Sequence, residues 1–416
     1  MSETHERPAP GEHRKLRVGY VGNLLGRYVI GQWGSGFVLS VASLPSVASV
    51  DLFCSELDAG LARDPVDYPP TVVLRRSYDR ERPFSILRTL RALRKWRGDL
   101  LVFSMNTTAF GNRATSNLVG LLMPIVARVF FRKPAVVVYH SSVLTSDVER
   151  LGYTSASDRA RAIAASAVER LLFRTVPTFV LLECYRKRLD EKVPSAHART
   201  FRNEYLEALP TIAINHLGNP GEVITGGGAS GPAPTLLLHG YWGPQKDLEG
   251  VLPILQSLAS EGVRFKLVLS GTVNPHFPDY VPHLEQLVTK FRSIISSRRG
   301  SVSEAEMAEV MLRSDLLLLP YNASGGQSGV MEIASCFDLP SIVSDFPEYR
   351  EKARTKPTVT LCARDQMADA IRSAFTQATT RPPRQVALWE KVAVAQSYVD
   401  RFLQEALAVA GPGSDG

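Results

Sequence analysis

Residues 314–345, SDLLLLPYNASGGQSGVMEIASCFDLPSIVSD, decide the fold of this chain. Two short apolar runs, 316–320 and 340–343, have the length and composition of buried parallel strands. Between them a Gly/Ser/Gln loop, 323–329, runs straight into a helical pattern beginning near Val330. Strand, glycine-rich loop, helix and strand make a βαβ unit whose loop stands at the carboxyl end of its first strand. Open α/β sheets take their ligands at that edge, and the unpaired amides of a helix N-terminus attract anions. Glu332 puts a carboxylate in the first turn of the helix, near the same mouth. The same composition also suits an ordinary βα turn, so the rest of the chain decides whether a site is built here.

A chain of 416 residues is too long for one ordinary core and implies two domains of about 200 residues each. The first fifteen residues, MSETHERPAPGEHRK, are polar, read as a disordered tail and lack the apolar core of a signal peptide. The longest apolar stretch, 118–131, contains Arg128 and falls short of the ~20 residues that span a bilayer. Cys54, Cys184, Cys336 and Cys362 lie far apart without a C-x-x-C pair, which reads as reduced core thiols of a cytoplasmic protein. The net charge of +7 favours anionic partners: nucleotide phosphates, acidic lipid or nucleic acid. A nucleic-acid partner is not expected, because the basic residues lack the interleaved aromatics that stack bases.

Strands and helices alternate through the first half, as in a doubly wound domain. LRVGYV (16–21) is a first strand, and a loop through Gly22, Gly26, Gly31, Gly34 and Gly36 leads to a helix from Phe37. That is a weak phosphate-site signal, short of a full dinucleotide fingerprint. Residues 83–96 form an amphipathic helix with Phe84, Leu87, Leu90 and Leu93 on one side. Arg88, Arg91, Arg94, Lys95 and Arg97 are spread over its exposed side. Its face is either solvated or docks on anionic lipid. A helix over 117–131 should kink at Pro124. AVVVY (135–139) delivers His140 to the ligand edge of its sheet, although a lone histidine is more often structural.

The apolar rhythm breaks over 194–210, which places the interdomain connection there. A strand at 211–214 follows, and the GGGASGPAP segment (226–234) reads as a surface loop inside the second domain. TLLL (235–238) then opens onto HGYWGPQKD, whose Lys246 could reach a diphosphate from a Gly/Pro-punctuated loop. Gly271 ends the next strand, 265–270, and Ser303 with Glu306 fits a capping box. Pro347 and Glu348 follow the 340–343 strand, and a proline-free helix over 385–408 closes the chain. The loops at 240–247, 271, 323–332 and 345–348 all fall at carboxyl ends of one parallel sheet, so they should converge.

This order of features resembles the GT-B glycosyltransferases, specifically the large retaining family 4, in its Q-S-G loop branch. LLLHGYWGPQKD is similar to that family's G-R-x-x-P-x-K-G segment, with Gly240, Pro244 and Lys246 in register. The 314–345 block resembles its S-G-x-x-x-x-E stretch. The resemblance implies two Rossmann-like domains facing across a cleft: an acceptor-side domain over 16–208 and a nucleotide-sugar domain over 209–384. The helix over 385–410 would cross back to the first.

By the same resemblance, Lys246 and the amides of Ser328, Gly329 and Val330 would hold the donor diphosphate, with Gln327 beside them. The loop Gly34–Ser35–Gly36 would close over the phosphates. Glu332 would bond the ribose, and His140 would stand near the reacting carbon. Ser324 replaces the first glutamate of the family's E-x7-E pattern, so a sugar contact falls to Ser324 or Gln327. Tyr241 replaces its usual arginine, and Tyr241, Gly271 and Glu348 are further candidate donor contacts. The implied activity is metal-independent, retaining transfer from a nucleoside-diphosphate sugar to a hydroxyl acceptor, with no cofactor. No D-x-D pair stands near either cleft loop. The alternatives are a catalytically weak nucleotide-binding partner protein and a nucleotide-sugar epimerase. An anionic membrane surface on the inner face of the membrane, met by Arg88, Arg91 and Lys95, is a further candidate partner.

Overall fold

The computed structural model describes residues 14–22, 29–55, 68–79, 82–107, 109–110, 113–147, 149, 151, 153–206, 223–227, 233–275, 277–324 and 326–411. The first sheet is built from β1 (Leu16–Val21), β2 (Val47–Ser55), β3 (Val72–Tyr78), β4 (Leu100–Met105), β5 (Ala135–Tyr139), β6 (Thr178–Val180) and β7 (Ala198–Thr200). Its helices are α1 (Val29–Ser43), α2 (Ile86–Lys95, entered through a 3-10 turn at Pro83–Ser85), α3 (Ala114–Ile125), α4 (Ala156–Thr175) and α5 (Glu183–Lys192). The strands run parallel in the order β3-β2-β1-β4-β5-β6-β7.

After a short strand β8 (Ile224–Gly226), the second sheet contains β9 (Thr235–His239), β10 (Lys266–Ser270), β11 (Ile295–Arg299), β12 (Leu316–Leu319), β13 (Ser341–Ser344) and β14 (Val359–Cys362). Between them lie α6 (Leu248–Ser260), α7 (Tyr280–Lys290), α8 (Glu304–Arg313), α9 (Gly329–Cys336), α10 (Pro347–Ala353) and α11 (Met367–Thr380). The order is β11-β10-β9-β12-β13-β14, again parallel throughout. β15 (Arg384–Val386) pairs antiparallel with β8, and α12 (Leu388–Ala410) ends the described chain. In each sheet the order reverses beside one strand, β1 or β9, and a crevice opens at such a point.

The central strands β4, β5 and β12 are buried at every position and apolar except for Ser104, as sheets covered on both faces require. Ser303 and Glu306 form the expected reciprocal cap of α8. Pro124 sits inside α3, and the helix continues as one π turn at Val126–Phe130, a way of absorbing the missing N–H. α12 starts at Leu388, because residues 384–386 are taken up by β15. It packs against the first sheet, where the Phe402 ring lies 5.4 Å from Phe37, 4.8 Å from Phe179 and 4.6 Å from Phe201. No helix among the described residues is long and apolar enough to cross a membrane.

Three expectations are corrected. Gly34, Ser35 and Gly36 lie inside α1 and not in a phosphate loop. Low glycine propensity suggested a loop, but α1 is buried on nearly every side, where small residues let it pack closely. On α2 the buried residues are Ile86, Thr89 and Leu93, while Phe84 and Leu87 are exposed. α10 was not expected; a proline at N1 starts a helix as well as it ends one. The strand at 211–214 and the domain junction at 208–209 lie outside the described residues, as does nearly all of the 1–15 tail.

Candidate functional site

The carboxyl edges of the two sheets meet closely. A Cβ placed on Gly326, in the loop before α9, would lie 3.9 Å from Ser141 Cβ and 4.0 Å from the His140 carbonyl oxygen. Between the edges is a cavity of about 340 Å³. Trp33, His140, Ser141 and Tyr153 line it from the first sheet. Tyr241, Lys246, Gln327, Ser328, Gly329 and Val330 line it from the second.

Lys246 puts a cation on its wall. Its side chain is buried, and Nζ donates to the His239 carbonyl at 2.7 Å. Nζ also stands 5.4 Å from the Trp242 ring centroid and 5.1 Å from that of Tyr321, at cation–π range. No carboxylate pairs with it among the described residues, and burial pulls its pKa down to about 7. The strand end below is shaped to admit it. Gly240 has φ of +130°, and a Cβ there would sit 2.3 Å from Nζ. Gly271 does not line the cavity; a Cβ on it would lie 1.9 Å from the Gly240 oxygen, so it lets the β10 end pass under β9.

Beside Lys246 stands the N-terminus of α9. Ser328 caps it, accepting from Met331 N at 3.3 Å, and its Oγ is 2.9 Å from the Tyr321 hydroxyl. The amides of Gly329 and Val330, in the first turn, have no intrahelical acceptor. An ammonium and a positive helix end on one wall form a site for an anion with spread charge, such as a diphosphate.

The facing wall is carried by β5. His140 is buried there, its Nε2 2.9 Å from Ser104 Oγ and its ring edge-on to Trp33, centroids 4.6 Å apart. Burial lowers its pKa to about 3, so the imidazole is neutral at physiological pH. The loop after it is tied down by Glu169 of α4, a fully buried carboxylate. Glu169 accepts from Thr107 at 2.8 Å, Tyr139 at 2.6 Å and Ser142 at 2.5 Å.

Structures already solved show the same architecture. A sucrose-phosphate synthase from Thermosynechococcus elongatus matches with a TM-score of 0.62 at 15% identity, over 95% of this chain and 97% of that one. Anabaena HepE in complex with UDP and glucose matches at 0.61 and 12% identity, over 94% and 99%. WaaG, a glycosyltransferase involved in lipopolysaccharide biosynthesis, matches at 0.57 and 15% identity, over 95% and 100%. The fold is GT-B. At such identities the likeness concerns the fold alone. No family model and no curated protein matches the sequence.

Within this GT-B frame, several residues singled out in the sequence lie off the cavity wall. Glu332 is fully buried, with Lys356 Nζ at 2.9 Å and Lys352 Nζ at 3.3 Å. Burial pushes its carboxyl up, but the two ammonium groups outweigh that and hold it below the usual range. A ribose hydroxyl has no access to it here. Glu348 accepts from Arg188 of α5 at 2.6 Å, an ion pair between the two halves of the chain, and does not line the cavity. Ser324 turns its hydroxyl to the Gly326 carbonyl at 3.4 Å and is also absent from the wall.

Sequence reading missed Glu169, Asn203, Lys352 and Lys356. Lys352 donates to Asn203 Oδ1 at 3.0 Å, and Asn203 Nδ2 lies 3.5 Å from Gln327 Oε1. The buried carboxylate therefore reaches the cleft through a lysine, an amide and a glutamine. No spacing signal was available, because α10 ends at Ala353 and Lys356 lies past the turn that follows it.

Proposed function

We propose that this protein transfers a sugar from a nucleoside-diphosphate donor to a hydroxyl acceptor, with retention at the anomeric carbon and without a metal ion, as a member of the family 4 type. The observation that carries the reading is a buried lysine with no carboxylate partner among the described residues, set beside the amides of a helix N-terminus and facing a neutral histidine across one cavity. Lys246 and the Gly329 and Val330 amides take up the charge that grows on the leaving diphosphate as the glycosidic C–O bond breaks. The acceptor oxygen bonds to the anomeric carbon from the same face, and its proton passes to the departing phosphate oxygen. His140, neutral, orients a hydroxyl of the sugar and carries no proton in the reaction. The donor occupies the second sheet's edge, and the acceptor enters from the first.

A second reading, donor binding without transfer, is favoured by one observation: Glu332 is sealed in its ion pairs and Tyr241 stands where a second cation would help the leaving group. Incubation with uridine, guanosine, adenosine and thymidine diphosphate sugars, followed by mass spectrometry, separates the readings. Hydrolysis or transfer, abolished in Lys246→Ala, supports the enzyme. Binding without turnover supports the second reading, and interconversion of the sugar would show an epimerase. Neither binding nor turnover, with Lys246→Ala indistinguishable from the parent, refutes all three.

A further inference from the structure

We infer that the helical layer α2–α3–α4 on the first sheet is a docking face for an anionic lipid bilayer. Eleven large apolar side chains are exposed among the described residues, and six of them belong to this layer. They are Phe84 (80% exposed), Leu87, Val129, Phe130 (73%), Ile163 (72%) and Leu171. α2, α3 and α4 pack side by side, and right-handed crossovers from β3 to β4, β5 and β6 put all three on one face. α1 and α12 cover the opposite face.

The charges on α2 select the partner. Its sequence ILRTLRALRK carries Arg88, Arg91, Arg94 and Lys95, all exposed, and no acidic residue. Single apolar tips separated by cations do not make a protein interface, whose core is depleted of charge. They suit a headgroup layer, in which aromatic and aliphatic tips enter the acyl boundary while guanidinium groups meet lipid phosphates. Phe84 lies in the turn after β3, and parallel strands place it on the same sheet edge as His140. Val129 and Phe130, ahead of β5, lie toward the opposite edge, so a docked bilayer lies along the whole layer and reaches the edge that carries the cleft.

This inference is independent of the transfer reaction, and vesicle sedimentation tests it with the full chain and no donor. The protein should pellet with vesicles of phosphatidylcholine mixed with phosphatidylglycerol, remain in solution with phosphatidylcholine alone, and be released as salt rises. The double variant Phe84→Ser/Phe130→Ser should partition about tenfold more weakly. Arg88→Glu/Arg91→Glu/Lys95→Glu should lose binding at low salt altogether. All substitutions are at exposed positions, and an unchanged melting temperature verifies the fold. Failure to pellet with the anionic vesicles, or variants that pellet as the parent does, overturns the inference. So does a dimer that dissociates in the same variants without any vesicle binding, which would make the face a contact between copies.

Discussion

Replacing Lys246 with methionine should make the ligand-free protein more stable and its nucleotide site nearly useless. Burial holds the Lys246 ammonium at a pKa of about 7, against an ordinary 10.5. The unfolded chain therefore binds the proton more tightly than the folded one. Below pH 7 the group is charged in both states, and the folded protein carries the full cost of burying it. As pH rises from 7 to 10.5 the folded protein has already released the proton, so stability rises across that window. The displacement corresponds to at most about 5 kcal/mol. Methionine fills the same slot but forfeits the hydrogen bond to the His239 carbonyl, worth about 1 kcal/mol. The net expectation is a gain of roughly 2–4 kcal/mol at pH 6 that shrinks by pH 9.

Binding moves the other way. A diphosphate oxygen about 4 Å from Nζ, at an effective dielectric near 20, is attracted by about 4 kcal/mol per charge pair. Nucleoside diphosphate affinity should thus fall by about two to three powers of ten in the variant. In the parent, binding should draw in a proton at pH 8, and affinity should fall about tenfold per pH unit above 7 until the bound lysine itself titrates. Scanning fluorimetry at pH 6 and 9, with calorimetry in two buffers of different ionisation enthalpy, reads both effects. A variant that binds UDP or GDP as the parent does, or that melts lower at pH 6, refutes the placement of this charge at the phosphates.

Gly240→Ala should weaken nucleotide binding at least tenfold and cost about 1–3 kcal/mol, because its Cβ would meet Lys246 Nζ at a φ of +130°; titration with a nucleoside diphosphate and urea unfolding measure the two. Glu332→Gln leaves two buried ammonium groups without their carboxylate and should cost about 3–5 kcal/mol in urea unfolding. Because the lysines hold that carboxyl low, its contribution is present above the ordinary carboxylate range and is lost as pH falls through the folded pKa, so the parent's melting temperature should drop in acid more steeply than the variant's. His140→Ala should reduce turnover about a hundredfold while nucleotide affinity changes by less than about threefold, and the parent's rate profile should show no step from this histidine near pH 6.5, since burial keeps it neutral.

Short apolar runs made both sheets legible, because a strand buried on both faces is mainly apolar. Leu316–Leu319 needed no tertiary information. The loop order around Lys246, Ser328 and Gly329 was equally open to reading, since glycines and a cap residue at a strand's carboxyl end have few other uses. What stayed hidden depended on burial. Gly34 and Gly36 read as loop until α1 proved to be enclosed, where packing outweighs propensity. Phe84 and Leu87 read as core by periodicity, yet the helix turns Ile86, Thr89 and Leu93 inward. Glu332 read as a cleft carboxylate because no spacing rule could show that α10 and the turn after it would bring Lys352 and Lys356 around it.

That last displacement changes how the two halves of the chain are connected. Glu332 fixes Lys352, Lys352 fixes Asn203, and Asn203 lies against Gln327 in the cleft. Asn203 follows β7 at the end of the first sheet, so a carboxylate of the second half holds a residue of the first. The same junction is fastened twice more, by Arg188 with Glu348 and by Glu351, which accepts from the Glu183 and Cys184 amides at 2.5 and 2.9 Å. Glu351 stands at the N-terminus of α5, where a carboxylate is favoured by the helix dipole. Glu348 and Glu351 of α10 thus face a cation and two amides across one seam, and Glu332 braces it from within the second half through Lys352. A seam held by charge opens at lower cost than one held by apolar packing, because water solvates the parted ions. The junction behind Gln327 is therefore polar, whereas α12 is joined to the first domain by the apolar Phe402 cluster.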